Sequence, residues 1–140
     1  MRPRYETTGD KARQRRTIGV FCEAFKCEAV PTPDLTGWDY EIHRDGKTVG
    51  LVEVKCRLCN HATYPTYMIG LRKMTDLRAE ASRRAIPSIL LVAWQDRIGF
   101  VHTDTAIDTG FVAHGGRNDR DDPMDTEAVL HIPIDKFRYV

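Results

Sequence analysis

Two acids and an amine stand at matching places in one short stretch of the chain. Glu53 and Lys55 flank Val54 in the run Val49-Gly50-Leu51-Val52-Glu53-Val54-Lys55, and Asp39 stands early in the run Trp38-Asp39-Tyr40-Glu41-Ile42-His43. Asp45-Gly46 lies between the two runs, and an Asp-Gly pair between strand-like segments marks a tight hairpin. Asp39 and Glu53 are placed almost symmetrically about Gly46, so antiparallel pairing sets them nearly opposite, with Cβ atoms ~5 Å apart. Side chains alternate along a strand, which puts Glu53 and Lys55 on one face. Facing carboxylates repel, and a divalent cation between them removes that cost. Oxygen ligands of this kind suit Mg²⁺ or Mn²⁺, with the backbone carbonyl of Val54 as a further ligand. Such an ion activates water and polarises a phosphodiester. Lys55 is then placed to orient or deprotonate the water, or to stabilise developing charge. The competing reading is a half-exposed hairpin with a surface ion pair, against which Leu51 and Val52 make the second strand too apolar to be wholly exposed.

The elements around the hairpin are legible from period and punctuation. Ile18, Phe21, Cys22 and Phe25 follow a helical period, which predicts a helix from about Gly9 to Lys26. Cys27 to Val30 forms a short strand that Pro31 and Pro33 end. Leu58 to Tyr67 reads as a loop. A second helix spans about Ile69 to Arg84, with Leu71, Met74, Leu77 and Ala81 on one face and Pro87 closing it. Ser88-Ile89-Leu90-Leu91-Val92-Ala93-Trp94 is continuously apolar, as a strand covered on both faces must be. Ile98 to His102 is another strand, Thr109 to Asp125 a Gly- and Asp-rich loop, and His131 to Ile134 an edge strand, because Pro133 lacks a ladder donor. Helices and strands in this order give one α/β domain over residues 1–140, with its core at about 9–102 and a loop and edge strand at 103–140.

Composition narrows the class without naming it. The 140 residues are 41% hydrophobic and 29% charged, with a net charge of +1, enough apolar material for a core without disulfide staples. Charge is uneven along the chain. Arg2, Arg4, Lys11, Arg13, Arg15 and Arg16 cluster early, Arg72, Lys73, Arg78, Arg83 and Arg84 form a second basic group, and Asp119, Asp121, Asp122 and Asp125 collect late. No apolar run follows the N-terminal charges and none approaches the ~20 residues of a membrane span. A cytoplasmic protein with free thiols and no membrane partner is the expectation.

Glu53-Val54-Lys55 on a second strand, with Asp39 on the strand before, resembles the PD-(D/E)xK nuclease superfamily. The resemblance extends over about Gly9 to His102 and is to small bacteriophage nucleases and, more distantly, to archaeal Holliday-junction resolvases. It implies a restriction-endonuclease-like α-β-β-β-α-β core, a mixed central sheet flanked by two helices, and metal-dependent cleavage of DNA. Asp39 and Glu53 would bind Mg²⁺ or Mn²⁺ and Lys55 would serve the water. Asp39 is preferred to Asp34 of the literal Pro33-Asp34 pair, because Asp34 precedes Gly37. Many members carry a Glu on the first helix. Glu23 lies about 140° from Ile18 and Gln14 only about 40°, so Gln14 is the expected inward residue supporting the site. Lys73 resembles the basic residue that meets a substrate phosphate, with Arg72 and Arg57 as further nucleic-acid contacts. A second copy of the chain is an expected partner, since so small an enzyme covers little of a duplex. The alternative is a nucleic-acid-binding module that keeps the fold without the chemistry.

Other groupings carry less. Tyr64 and Tyr67 could stack on unpaired bases or pack locally. Cys56, Cys59 and His61 form half of a zinc site that lacks its second half. Gly110, Gly115 and Gly116, with Arg117 and Arg120, lie outside any strand–loop–helix setting for a nucleotide.

Overall fold

A computed structural model describes residues 8–33, 36–114 and 127–140. The chain runs α1 (Thr8–Phe25), β1 (Glu28–Pro31), β2 (Tyr40–Arg44), β3 (Lys47–Cys56), β4 (Thr66–Gly70), α2 (Leu71–Arg83), β5 (Ser88–Ala93), β6 (Ile98–His102), α3 (Thr103–Thr109), β7 (Phe111–His114), β8 (Ala128–Pro133), a 3₁₀ turn (Ile134–Lys136) and β9 (Arg138–Tyr139). Six strands form a sheet in the order β1-β2-β3-β5-β6-β9, and β4, β8 and β7 form a second sheet. In the larger sheet β3 and β5 are parallel and the other neighbours antiparallel. The expected mixed α/β architecture is therefore present. Arg2, Arg4, Asp34, the Gly115–Gly116 segment with Arg117 and Arg120, and the acidic group at Asp119, Asp121, Asp122 and Asp125 lie outside the described residues.

The larger sheet separates two apolar clusters. On one face Ile18 and Phe21 of α1 pack with Tyr40, Ile42, Val52, Val54, Ile89, Leu91 and Phe100. On the other, Met74, Leu77 and Ala81 of α2 pack with Leu51, Leu90, Val92 and Val101, and with Tyr67, Ile69, Leu130 and Ile132 of the smaller sheet. Met74 and Leu77 are fully buried, each worth about 1.5–3 kcal/mol of apolar burial. All six residues of β5 are buried, as its unbroken apolar run requires. Lys26 and Ala85 take positive φ and stop the two long helices in the manner of a left-handed C-cap. At the end of α1 the Cys27 N–H reaches the Cys22 carbonyl and the Arg44 guanidinium covers the Phe25 carbonyl.

The hairpin positions the acids through a turn and a bulge together. Asp45 and Gly46 both have positive φ, as a two-residue type I′ turn demands, and Arg44 pairs with Lys47. Continued without interruption, that register would set Asp39 opposite Val52 and send its side chain to the α1 face. The register shifts between Ile42 and His43, which pair with Gly50 and Thr48. Val49 is thus the extra residue of a β-bulge. Beyond it Tyr40 pairs with Val52, and the next step outward brings Asp39 opposite Glu53.

Several elements differ from expectation. β2 starts at Tyr40, with Asp39 immediately before it, although the Asp39 N–H still donates to the Val52 carbonyl. The supposed loop ends in β4, and α2 begins two residues later than its periodicity suggests. A third helix and β7 occupy residues 103–114, where less structure was expected. β8 is the centre of the smaller sheet, not an edge. Pro133 is tolerated because it is the last residue of β8 and pairs only with Thr66, while β7 reaches no further than His131. Among the described residues, no helix is long and apolar enough to cross a membrane. All four cysteines are free thiols.

Candidate active site

Glu53 leaves β3 on the α2 face and is 2% exposed, the one charged side chain among the buried described residues. Lys55 Nζ lies 3.5 Å from its Oε2, and Lys73 Nζ, reaching down from α2, lies 3.6 Å from its Oε1. The Lys73 ammonium also donates to the Gly37 carbonyl at 3.4 Å. Gly37 has φ +108°, a conformation that a side chain would strain. Oε1 of Glu53 makes no hydrogen bond. Asp39 faces Glu53 across the strand pair, and its Oδ2 accepts the Val54 N–H at 2.7 Å, which fixes the carboxylate. Burial pushes the Glu53 carboxyl up to about 7, the Asp39 charge pushes the same way, and Lys55 and Lys73 pull it back.

A buried carboxylate with one oxygen outside any hydrogen bond and another carboxylate opposite gathers negative charge in one place. Two ammoniums balance the pair, but they approach at ion-pair rather than short hydrogen-bond distance. A hard cation fits this donor set better than a third basic side chain would, because it takes oxygen from both acids at once. Residues Asp39, Glu53 and Val54 are those that would hold it.

The other expected residues fall out differently. Lys73 joins the site. Gln14 does not: it is half-buried on α1, and α1 packs on the Val52/Val54 face, whereas Glu53 and Lys55 leave the other. Tyr67 is a correction. It is 4% exposed and lies in the core cluster on β4, so no base can stack on it. Arg57 covers its ring at 4.6 Å from the centroid, and its hydroxyl is buried without a partner. Arg57 is half-buried, and Arg72 is exposed in an ion pair with Glu127. Tyr64 is 62% exposed and stays available for stacking. Among the described residues no three His, Cys, Asp or Glu side chains gather to hold a metal. His61 is instead held by Asp96, its Nδ1 2.6 Å from Oδ2, which leaves the zinc reading without a site.

One residue went unrecognised in the sequence. Arg13 Nη2 donates to the carbonyls of Arg57 and Ala93 at 2.9 and 3.2 Å, tying α1 to the ends of β3 and β5. Its signal was its place one turn before Thr17, which is 3% exposed and donates its hydroxyl to the Arg13 carbonyl.

A strand Glu two residues before a Lys, faced by an Asp across a hairpin in a mixed α/β sheet, is the arrangement that the PD-(D/E)xK resemblance implied, and it defines the class as a nuclease. The chain belongs to the family described as "Phage putative PDDEXK endonuclease", whose model matches residues 1–140. No curated protein matches it by sequence. Among solved structures it is similar to Hjc of Archaeoglobus fulgidus, a Holliday junction resolvase from an archaeal hyperthermophile. Identity there is 14%, over 87% of this chain and 82% of that one, with a TM-score of 0.57. It is also similar to D212, a nuclease from a fusselovirus, at 10% identity over 99% of this chain and 90% of that one, with a TM-score of 0.58. At such identities the likeness is one of fold.

Proposed function

We propose that this nuclease hydrolyses phosphodiester bonds in DNA with Mg²⁺ or Mn²⁺ held by Asp39, Glu53 and the Val54 carbonyl. The observation that carries the proposal is the buried Glu53 carboxylate, one oxygen of which has no hydrogen-bond partner while Asp39 faces it. In an extended strand a residue's N–H and C=O leave on the same side. The Val54 carbonyl therefore leaves toward Asp39, as its N–H does. A divalent ion at these ligands supplies Lewis-acid polarisation of the phosphodiester and a more acidic water.

The chain's own groups do the rest. Asp39 is held by the Val54 N–H and needs little reorganisation to act as a ligand. Lys55, with its side chain 33% exposed, can reach a substrate oxygen or take a proton from the attacking water. Lys73, bridging Glu53 and Gly37, offers its charge to the scissile phosphate. With both carboxylates and both ammoniums ionised the four side chains sum to zero charge, so the charge of an added cation is left to match the substrate's.

Calorimetric titration with Mn²⁺ tests the site. Binding by the wild type and none by Glu53→Ala is expected, and binding by both refutes the ligand assignment. Linear, branched and single-stranded DNA are then incubated with Mg²⁺ or Mn²⁺ beside Lys55→Ala. Equal cutting by the two proteins would assign the activity to something other than this site.

A further inference from the structure

A cleft of about 480 Å³ opens on the opposite face of the large sheet, between α1 and the turn joining β5 to β6. Arg13 and Arg16 line it from the helix and Arg97 from the turn. Among the described residues no carboxylate lies within ion-pair distance of any of the three. The acid in the wall, Asp96, is already occupied: its Oδ1 accepts the His61 N–H at 2.8 Å and its Oδ2 lies 2.6 Å from His61 Nδ1. Among the described residues the cleft sets three guanidiniums against one side-chain carboxylate, a balance whose field favours an anion. Two of them are held in place beforehand, Arg13 by the Arg57 and Ala93 carbonyls and Arg97 by the Tyr139 ring, 3.6 Å beneath it. Val20, 43% exposed, and Ile98 add apolar surface beside the charges.

The cleft is connected to the catalytic face by the end of β3. Arg57, whose carbonyl receives Arg13, follows Lys55 by two residues, about 7 Å of extended chain. Its guanidinium lies over Tyr67 on the catalytic side. Positive charge thus continues from Lys73 and Lys55 through Arg57 to Arg13, Arg16 and Arg97, round the end of the sheet. A duplex is too wide and stiff to follow that path into a cleft of this volume. A single strand follows it, because each of its phosphates can turn independently, and arginine forks match phosphate oxygens.

Resting on the nuclease reading above, we propose that this cleft binds the backbone of a single DNA strand leaving the catalytic site. The protein then prefers DNA with a single-stranded arm to blunt duplex. The test is fluorescence anisotropy in EDTA, so that nothing is cut, with a blunt duplex and the same duplex carrying a single-stranded arm. The proteins are the wild type, the double variant Arg16→Glu/Arg97→Glu, and Arg83→Glu as a control for a distant exposed charge. Arg16, Arg97 and Arg83 are all exposed, so these changes spare the core. The double variant is expected to lose about tenfold or more in affinity for the armed duplex, much less for the blunt one, and about 1.4 in salt slope for two lost single-strand phosphate contacts. Arg83→Glu should bind as the wild type does. Equal losses on both substrates, no loss on either, or wild-type binding of poly-glutamate as tight as that of the arm would overturn the cleft. A wild type that cuts DNA while the double variant still binds arms normally refutes the cleft and leaves the catalytic reading standing. An arm preference dependent on Arg16 and Arg97 in a protein that cuts nothing with any divalent ion does the reverse.

Discussion

Glu53→Gln, studied without metal, separates a cation site from an ordinary buried ion pair. The folded protein holds the Glu53 proton up to about pH 7, whereas the ordinary carboxyl releases it near 4.5. Between those values the native state binds more protons than the unfolded state, so stability falls as pH rises through the window. Below about 4.5 the contribution is fully present, and above about 7 it is gone. At 1.36 kcal/mol per pH unit the loss is on the order of 3 kcal/mol. The Gln variant has no proton to lose. In EDTA, the stability of the variant minus that of the wild type should be flat below pH 4.5, rise across the window, and level off above 7. Urea unfolding at a series of pH values reads this directly. Mg²⁺ or Mn²⁺ above neutrality should then stabilise the wild type and not the variant, closing the gap. Parallel pH curves in EDTA would refute the reasoning, because Glu53 would then carry no strained charge for a cation to relieve.

Other outcomes follow from the same contacts. Lys73→Ala removes an ammonium 3.6 Å from Glu53 Oε1, so calorimetry should show tighter Mn²⁺ binding alongside slower cleavage; weaker binding would make Lys73 a support of the ion rather than its competitor. Lys55→Ala should slow single-turnover cleavage by about 10²–10⁴-fold while Mn²⁺ binding persists. Tyr67→Phe removes a buried, unpartnered hydroxyl and should be neutral or stabilising by about 1 kcal/mol in thermal unfolding, with DNA affinity unchanged. Arg13→Ala removes the donor to the Arg57 carbonyl and one of two to the Ala93 carbonyl, which keeps the Arg57 N–H, and should cost about 1–3 kcal/mol in urea unfolding.

The parts that could be read ahead were those whose signal is local. Asp45-Gly46 between alternating runs announced the hairpin, and the apolar run at Ser88–Ala93 announced the covered strand. Lys55 followed Glu53 onto the same face by period alone. What escaped depended on distant partners. β4 runs into α2 without a break, so Tyr67 read as loop and Ile69 as helix, and only pairing with β8 makes them strand. The wheel turned Gln14 inward on α1, where it is half-buried, but a wheel does not say which face of a sheet a helix covers, and α1 covers the face away from Glu53. Arg13 read only as one member of the early basic cluster, because its acceptors are carbonyls far along the chain. Pro133 spoke against a central strand, yet at the final position of β8 its missing donor faces no partner strand.

The bulge at Val49 has a consequence for how this hairpin can change over evolutionary time. An odd number of residues separates Asp39 from Glu53, while a two-residue turn by itself allows only an even number between opposed positions. With Val49 present but paired instead of bulged, Asp39 would turn toward the wrong side of the sheet and Tyr40 and Ile42 would leave their cluster. Relatives of this chain that keep this spacing should therefore pair a short turn with a kinked strand or a longer turn with a straight one.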